Sequence, residues 1–182
     1  MNIARKDWHW QYNEVTNTLE VCSDVDSCYS TGLRKAQLCG DAMRKQSLAI
    51  EDLSFLHSTY EILTEQCGLD DTIAMNHAMS AVSARKFFKP VLPQSWFFLP
   101  SSANLTLTEL MVVELDTPEQ TGLFITVASD ESTSLIMLIS EKLCLTEHKN
   151  MVQGSMLRVM NDRIARYASM NALAMNRDLL RA

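Results

Sequence analysis

Four histidines and two adjacent acid pairs are the side chains in this chain best able to transfer protons. The histidines are His9, His57, His77 and His148. No two of them have the spacing of metal ligands. His77 falls on a predicted helix face, but a lone histidine without a positioned partner is more often a surface or hydrogen-bonded residue than a general base. The acid pairs, Asp70-Asp71 and Asp130-Glu131, fit a helix cap and a solvated loop. We expect no catalytic site from these groups.

Motifs for nucleophilic or phosphate chemistry are also missing from the sequence. The chain contains only 5 glycines, and none of them forms a glycine-rich phosphate loop. Neither Gly-x-Ser-x-Gly nor His-Glu-x-x-His occurs. We therefore predict that the protein is not an enzyme and carries no cofactor.

The cysteines give a similar answer. They are Cys22, Cys28, Cys39, Cys67 and Cys144. Their number is odd and no pair forms Cys-x-x-Cys, so we expect neither a structural zinc site nor a secreted disulfide framework. Reduced and mostly buried thiols are the prediction.

Arg85, Lys86 and Lys89 form the most notable charge cluster. They lie in residues 72–108, which contain no acid, in a chain of net charge −6. An acidic chain is a poor match for nucleic acid, whose phosphates require a basic surface. The cluster is either a solvated helix end or a local surface for an acidic protein partner.

The aromatic segment near the start alternates with polar residues. Trp8, Trp10 and Tyr12 would share one face of a strand, and Leu19 and Val21 lie on a second strand after a turn. Core packing is the simplest interpretation of these side chains. The alternatives are a stacking platform for single-stranded nucleic acid and the floor of a peptide-binding pocket.

Two helices follow in the sequence pattern. The first begins at Asp52, has apolar residues at helical spacing and ends at Gly68, which suits a left-handed cap. The second begins after Asp70 or Asp71 and ends at Lys89, because the residue before a proline is pushed out of helical geometry.

Beyond the prolines the pattern changes to short strands. We predict strands at 96–99, 105–115, 123–128, 135–139 and 143–146, followed by a terminal helix from Gly154. The predicted fold class is α+β. Residues 1–90 would form an N-terminal α/β domain with a β-hairpin and two helices. Residues 91–182 would form a mainly-β, barrel-like domain with a closing helix.

The location of the protein is predicted from what the sequence lacks. No apolar run approaches the roughly 18 residues needed to cross a bilayer. Residues 1–7 lack the apolar core of a signal peptide. We expect a cytoplasmic protein without a membrane partner.

Three motifs resemble those of the ZapC family. The first is Trp-x-Trp-x-Tyr from Trp8, followed by the strand with Leu19 and Val21. The central motif is Lys-Pro-x-x-Pro-x-Ser-Trp-x-Phe, here Lys89, Pro90, Pro93, Ser95, Trp96 and Phe98. The late motif is Met-Asn-Asp-Arg, here Met160, Asn161, Asp162 and Arg163. Family members often carry a lysine between the second proline and the serine, where this chain has Gln94.

The resemblance implies a non-enzymatic cell-division protein. It would bind polymeric FtsZ, promote protofilament association, lower GTPase activity and stabilise the division ring at midcell. On this basis Arg85, Lys86 and Lys89 would contact FtsZ, and an apolar pocket near Leu19, Val21, Trp8 and Trp10 would take an apolar anchor. The protein would be a monomer or a weak homo-oligomer. The alternative is a cytoplasmic nucleic-acid-binding module or another non-catalytic interaction module.

Overall fold

The computed structural model describes residues 8–23, 27–103 and 105–167 of the chain. The chain divides into two compact units, residues 1–92 and residues 93–182. Each unit has its own secondary structure and its own core.

The first unit combines a four-stranded antiparallel sheet with two helices. Its elements are β1 His9–Asn13, β2 Thr18–Cys22, β3 Cys28–Arg34, β4 Gln46–Ser47, α1 Ile50–Glu65 and α2 Asp71–Phe87. The strand order in the sheet is β3-β2-β1-β4. The predicted hairpin is confirmed, with Trp10 opposite Val21. The two predicted helices are also confirmed.

Local signals in the sequence explain where the two helices begin and end. Asp52, in the first turn of α1, accepts a hydrogen bond from the backbone N–H of Ala49 at 3.0 Å. Gly68 follows α1 with a φ of +68°, which only glycine adopts at little cost. The Asp70 carboxylate caps α2 by accepting from the Thr72 N–H at 2.9 Å. Within the described part of the chain, neither helix has the length and apolarity to cross a membrane.

The core of the first unit lies between the sheet and the helices. Trp10 is fully buried and packs edge-to-face on Phe87 of α2, with ring centroids 5.4 Å apart. Leu19 and Val21 are fully buried on β2. The hairpin therefore supplies the core that α1 and α2 cover.

β3 corrects two expectations. The polar composition of residues 24–31 favours a loop, but β3 begins at Cys28 and pairs with β2. This pairing sets Cys28 directly opposite Cys22, and the two sulfurs form a disulfide. The prediction of five reduced thiols was wrong for this pair, because the spacing of two cysteines carries no information about an unpredicted strand.

The second unit is built from antiparallel strands. They are β5 Val112–Asp116, β6 Thr121–Ser129, β7 Thr133–Leu138, β8 Lys142–Thr146, β9 Lys149–Val152, β10 Met156–Met160 and β11 Ala165–Arg166. Five of them form a sheet in the order β10-β7-β6-β5-β11, and β8 pairs with β9. Its core includes Phe98, Phe124 and Ile164. In residues 93–103 and 105–167 both sheets are open, so the barrel-like expectation is not confirmed.

The predicted closing helix is wrong over the described residues. The segment from Gly154 forms β10, a single 3-10 turn at Asn161–Arg163, and β11. Leu157 and Val159 are both buried, which is the two-residue alternation of a strand. Pairing with β7 therefore overrode the helical spacing of the apolar residues. The predicted continuation after Ser169 lies outside the described residues.

Trp96 also differs from its prediction. Ser95–Phe97 is a 3-10 turn rather than a strand, closed by the Phe98 N–H donating to the Ser95 carbonyl at 3.0 Å. The Trp96 side chain is 71% exposed. The proline-rich segment thus leads into a turn that presents an aromatic ring to solvent.

Gly122 provides a test of packing in the second unit. It lies opposite Leu115, and a Cβ placed on it would lie 2.8 Å from Leu143 Cδ2 and 2.9 Å from Phe124 Cε2. Both neighbours are fully buried. We expect Gly122→Ala to lower the free energy of unfolding by about 1–3 kcal/mol through overpacking. Urea denaturation followed by circular dichroism measures this.

The matched control is Gly40→Ala, because nothing lies within 4 Å of a Cβ at Gly40. We expect a change within about 0.5 kcal/mol for this variant. Equal unfolding free energies for both variants would contradict the tight packing at Gly122.

Candidate interaction site

A basic cleft lies at the C-terminal end of α2 in the first unit. Its volume is about 410 Å³, and its lining residues are Asp41, Arg44, Lys45, Gln46, Lys86 and Phe87. Three of these six side chains are cationic and one is acidic. Arg44 follows the 3-10 turn Gly40–Met43, and Gln46 begins β4. The cleft is suited to carboxylate or other anionic groups rather than to cations.

Lys86 is anchored to the core beside this cleft. Its Nζ lies 2.5 Å from Asp52 Oδ2, and the Asp52 side chain is 7% exposed. The same oxygen accepts from Trp10 Nε1 at 3.3 Å. A buried carboxylate must be paired and hydrogen bonded, and Asp52 meets both requirements. Lys86 is therefore held in one position, but the ion pair with Asp52 partly neutralises its charge.

Arg85 and Lys89 flank Lys86 and are both exposed. The Arg85 guanidinium lies over the Phe55 ring, 4.8 Å from its centroid. The Lys89 N–H donates to the Gln37 carbonyl at 2.9 Å, which fixes the backbone where α2 has ended. The structure thus brings the three predicted basic residues to one end of α2, beside the cleft that Lys86 lines.

The predicted apolar pocket is not open in the structure. Trp10, Leu19 and Val21 are fully buried and offer no surface of their own. Trp8 is only half-buried and stacks on Tyr29 of β3, with ring centroids 5.7 Å apart. Of the four residues predicted near this pocket, Trp8 alone reaches solvent.

The central and late sequence motifs meet in the second unit. The Met160 N–H donates to Ser95 Oγ at 2.7 Å, and the Gln94 N–H donates to the Arg158 carbonyl at 2.8 Å. Residues 94 and 95 therefore cover the outer edge of β10, which would otherwise expose unpaired backbone groups. Pro93 precedes this segment in the second unit, whereas Pro90 belongs to the first unit.

Gln94 also has a cationic neighbour. Lys149 Nζ lies 3.5 Å from Gln94 Oε1 and over the ring of Phe97, 4.4 Å from its centroid. A positive charge is present beside position 94 although the residue itself is neutral.

Asn161 fastens the turn between β6 and β7. Its backbone N–H donates to the Ser132 carbonyl at 2.9 Å and its Nδ2 donates to the Asp130 carbonyl at 2.9 Å. Its Oδ1 accepts from Ser134 Oγ at 2.7 Å. Arg163 Nε lies 3.2 Å from Asp162 Oδ1, so the two residues form a local ion pair. The contacts of this motif are structural contacts within the second unit.

Arg44 and Lys45 are the cleft residues that sequence reasoning missed. They lie between short elements with neither helical nor strand periodicity, so the sequence pattern assigned them to no helix or strand. Their adjacency in the chain was the only available signal.

Burial displaces the pKa values of two groups outside the cleft. Burial raises the pKa of the Cys67 thiol to about 11, so this thiol is protonated at neutral pH and a poor nucleophile. Burial also raises the pKa of Glu114 on β5. Neither residue lines the cleft.

Replacing Asp52 tests the anchor of Lys86. We expect Asp52→Ala to lower the free energy of unfolding by about 2–3 kcal/mol, because Trp10 Nε1, the Ala49 N–H and Lys86 Nζ lose their shared acceptor. Chemical denaturation measures the change. Glu51→Ala, at the exposed neighbouring position, should cost less than about 1 kcal/mol. Equal losses of unfolding free energy in the two variants would show that the shared Asp52 carboxylate contributes no more to stability than an exposed one.

Asp130 predicts a pH dependence. Hydrogen bonds from the Ser132 N–H and from the Thr133 side chain and N–H lower the pKa of this carboxyl to about 2. Its ordinary value is about 3.9. Because the folded pKa is depressed, its contribution to stability is present above about pH 4 and is lost as the pH falls towards 2.

The measurement is the difference in unfolding free energy between the wild type and Asp130→Asn as a function of pH. This difference should shrink between pH 4 and 2, because these limits correspond to the pKa of Asp130 in the unfolded chain and in the folded protein. Glu131→Gln, one residue away, is the control and should show a flatter profile. A difference for Asp130→Asn that is constant over this range would contradict the assignment.

Comparison with known proteins places these motifs in context. The sequence profile described as "Cell-division protein ZapC, C-terminal" matches residues 90–170. A protein of Shewanella oneidensis named "Cell division protein ZapC" is 28% identical over 162 residues, covering 89% of this chain and 92% of that protein. Proteins of the same name from Shewanella woodyi and Aliivibrio salmonicida are 26% and 28% identical, covering 89% and 91% of this chain and 90% and 92% of their own lengths.

The matches extend over both units, since the relatives cover far more than the profile's residues 90–170. Their shared name describes cell division and no catalysed reaction. The resemblance indicated by the three motifs is therefore confirmed: along about nine-tenths of its length, this chain is similar to cell division proteins of the ZapC family.

Proposed function

We propose that this protein acts in cell division by binding polymeric FtsZ, promoting association of protofilaments, lowering GTPase activity and stabilising the division ring at midcell. The observation that carries the proposal is the similarity to ZapC proteins over both units. The protein would act in the cytoplasm and without catalysis of its own.

The basic cleft is the surface we assign to this contact. Its cationic lining sits in a chain whose net charge is −6, so attraction at long range is weak and recognition of an acidic segment depends on short-range contacts. Arg44, Lys45 and Lys86 would meet carboxylates of FtsZ, and Arg85 and Lys89 would extend the charged surface along the end of α2. Because Lys86 is already paired with Asp52, Arg44, Lys45 and Lys89 would supply most of the attraction.

The apolar part of the contact differs from the sequence-based expectation. Trp10, Leu19 and Val21 are buried in the core, and Trp8 with Tyr29 offers an accessible aromatic surface on the first unit. Tyr29 is 49% exposed. An aromatic pair of this kind is a suitable anchor for an apolar side chain.

Bundling places a further requirement on the molecule. One protein must contact two protofilaments, so it needs either two separate surfaces or a second copy of itself. The cleft provides one such surface.

The test is co-sedimentation of the full chain with FtsZ from the same organism, in GTP and in GDP, with phosphate release followed in parallel. We expect enrichment in the GTP pellet and slower phosphate release. No enrichment across a range of salt concentrations would overturn the proposal.

Charge reversal locates the contact. We expect the double variant Arg44→Glu/Lys45→Glu to bind FtsZ about tenfold or more weakly, and Lys89→Glu to weaken binding in the same direction. Binding of the wild type should also fall with added salt, because exposed charges are screened. The matched control is Lys142→Glu/Arg166→Glu, which makes the same change in net charge at exposed positions of the second unit. If the control and the cleft variant bind alike, the cleft is not the contact.

A further inference from the structure

Glu20, Cys22 and Cys28 bring three metal-ligating atoms together on the sheet of the first unit. A carboxylate oxygen of Glu20 and the two sulfurs all lie within 4.8 Å of one another. The register explains this, because Cys22 and Cys28 are opposite each other and Glu20 is two residues before Cys22 on the same face of β2. We propose that this cluster is a binding site for Zn²⁺ when the two cysteines are reduced.

The ligand set matches the chemistry of Zn²⁺. Thiolate sulfur and carboxylate oxygen are both common zinc ligands, with bonds of about 2.3 Å and 2.0–2.2 Å. Tetrahedral bonds of these lengths set the ligand atoms roughly 3–4 Å apart. The two sulfurs are bonded to each other in the disulfide, so binding of the ion would require the reduced side chains to rotate apart on the backbone that the β2–β3 pairing fixes.

Glu20 supplies the second argument. It is 8% exposed, and its hydrogen bonds come from the neutral donors Asn13 Nδ2 at 3.0 Å and Thr16 Oγ1 at 3.2 Å. Both of these bonds go to Oε1, which orients the carboxylate and leaves Oε2 for a metal. A buried carboxylate normally has a cationic partner, and none of the ion pairs within residues 8–23, 27–103 and 105–167 includes Glu20. A bound cation would fill that role.

Access and coordination number also fit. Cys22 is 3% exposed, whereas Cys28 is exposed, so an ion can enter from the side of β3. Three protein ligands leave the fourth tetrahedral position to water.

The redox state of the pair decides whether the site exists. In the structure the two cysteines are joined in a disulfide, which has no thiolate to offer. A phosphine reductant gives the disulfide two electrons and becomes a phosphine oxide with oxygen from water, and two thiols result. Each thiol then loses its proton as Zn²⁺ binds, so binding releases two protons. The two thiolates and the carboxylate would carry three negative charges against the two positive charges of the ion.

The test is a Zn²⁺ titration of the full chain, reduced with a phosphine and competed against a chromophoric chelator. We expect one Zn²⁺ per chain for the reduced wild type. The same chain with its disulfide intact is the first comparison, and it needs no mutation. Its affinity should be lower by at least a hundredfold, because both sulfur ligands are lost. Equal binding by the two forms would overturn the proposal.

Variants then assign the ligands. Cys22→Ser/Cys28→Ser should abolish the site, and Glu20→Gln should weaken it by about tenfold or more. The matched control is the triple variant Cys39→Ser/Cys67→Ser/Cys144→Ser, which removes the three free cysteines and should bind as the wild type does. Loss of binding in this control but not in the Cys22→Ser/Cys28→Ser variant would overturn the assignment.

Cobalt gives an independent readout. Co²⁺ in the reduced wild type should show sulfur-to-metal charge-transfer absorption and the visible bands of tetrahedral coordination. The absence of thiolate-to-cobalt absorption would also overturn the proposal. Neither readout depends on the proposed role in cell division, so the two proposals can fail separately.

Discussion

A single buried carboxylate ties together the elements of the first unit. Asp52 belongs to α1, yet its Oδ2 accepts from Trp10 on β1 and pairs with Lys86 on α2. A charge removed from water is costly unless it is paired and hydrogen bonded, so the three elements must keep these positions together. The edge-to-face contact of Trp10 with Phe87 and the placement of Lys86 beside the cleft both follow from the same arrangement. The core and the charged surface of this unit therefore depend on the same set of contacts.

The second unit has a comparable constraint at the edge of its sheet. Ser95 and Met160 are separated by 65 residues in sequence but share a hydrogen bond. The strand β10 would end the sheet with open backbone groups, and the segment after Pro93 covers them. The residue after Met160 is Asn161, which forms hydrogen bonds to the turn between β6 and β7 through both its backbone and its side chain. Two motifs that look separate in the sequence are one packing arrangement in the structure.

The sequence predicted those elements whose signals are local. α1 and α2 were predictable because Gly68, Asp70 and the Lys89-Pro90 step mark helix ends in the sequence itself. The hairpin of β1 and β2 was predictable from its alternation. β3 and β10 were not predictable, because their pairing partners determine them. β3 pairs with β2 across a polar connection, and β10 pairs with β7, which is distant in sequence. The cleft was predictable only in part for the same reason. Lys86 was identified because it lies in an acid-free segment of the sequence, whereas Arg44 and Lys45 come close to it only when the chain is folded.

The shared oxygen of Asp52 also makes Trp10 an optical reporter of the cleft. The indole N–H and the Lys86 ammonium both lie against Oδ2, so a ligand that draws the ammonium away changes the electric field along the indole. Indole emission shifts with such a field. Trp10 is fully buried and should emit at shorter wavelength than the half-buried Trp8 and the exposed Trp96, which separates its signal from theirs. Occupancy of the surface could thus be followed from within the core, with no dye attached to the protein.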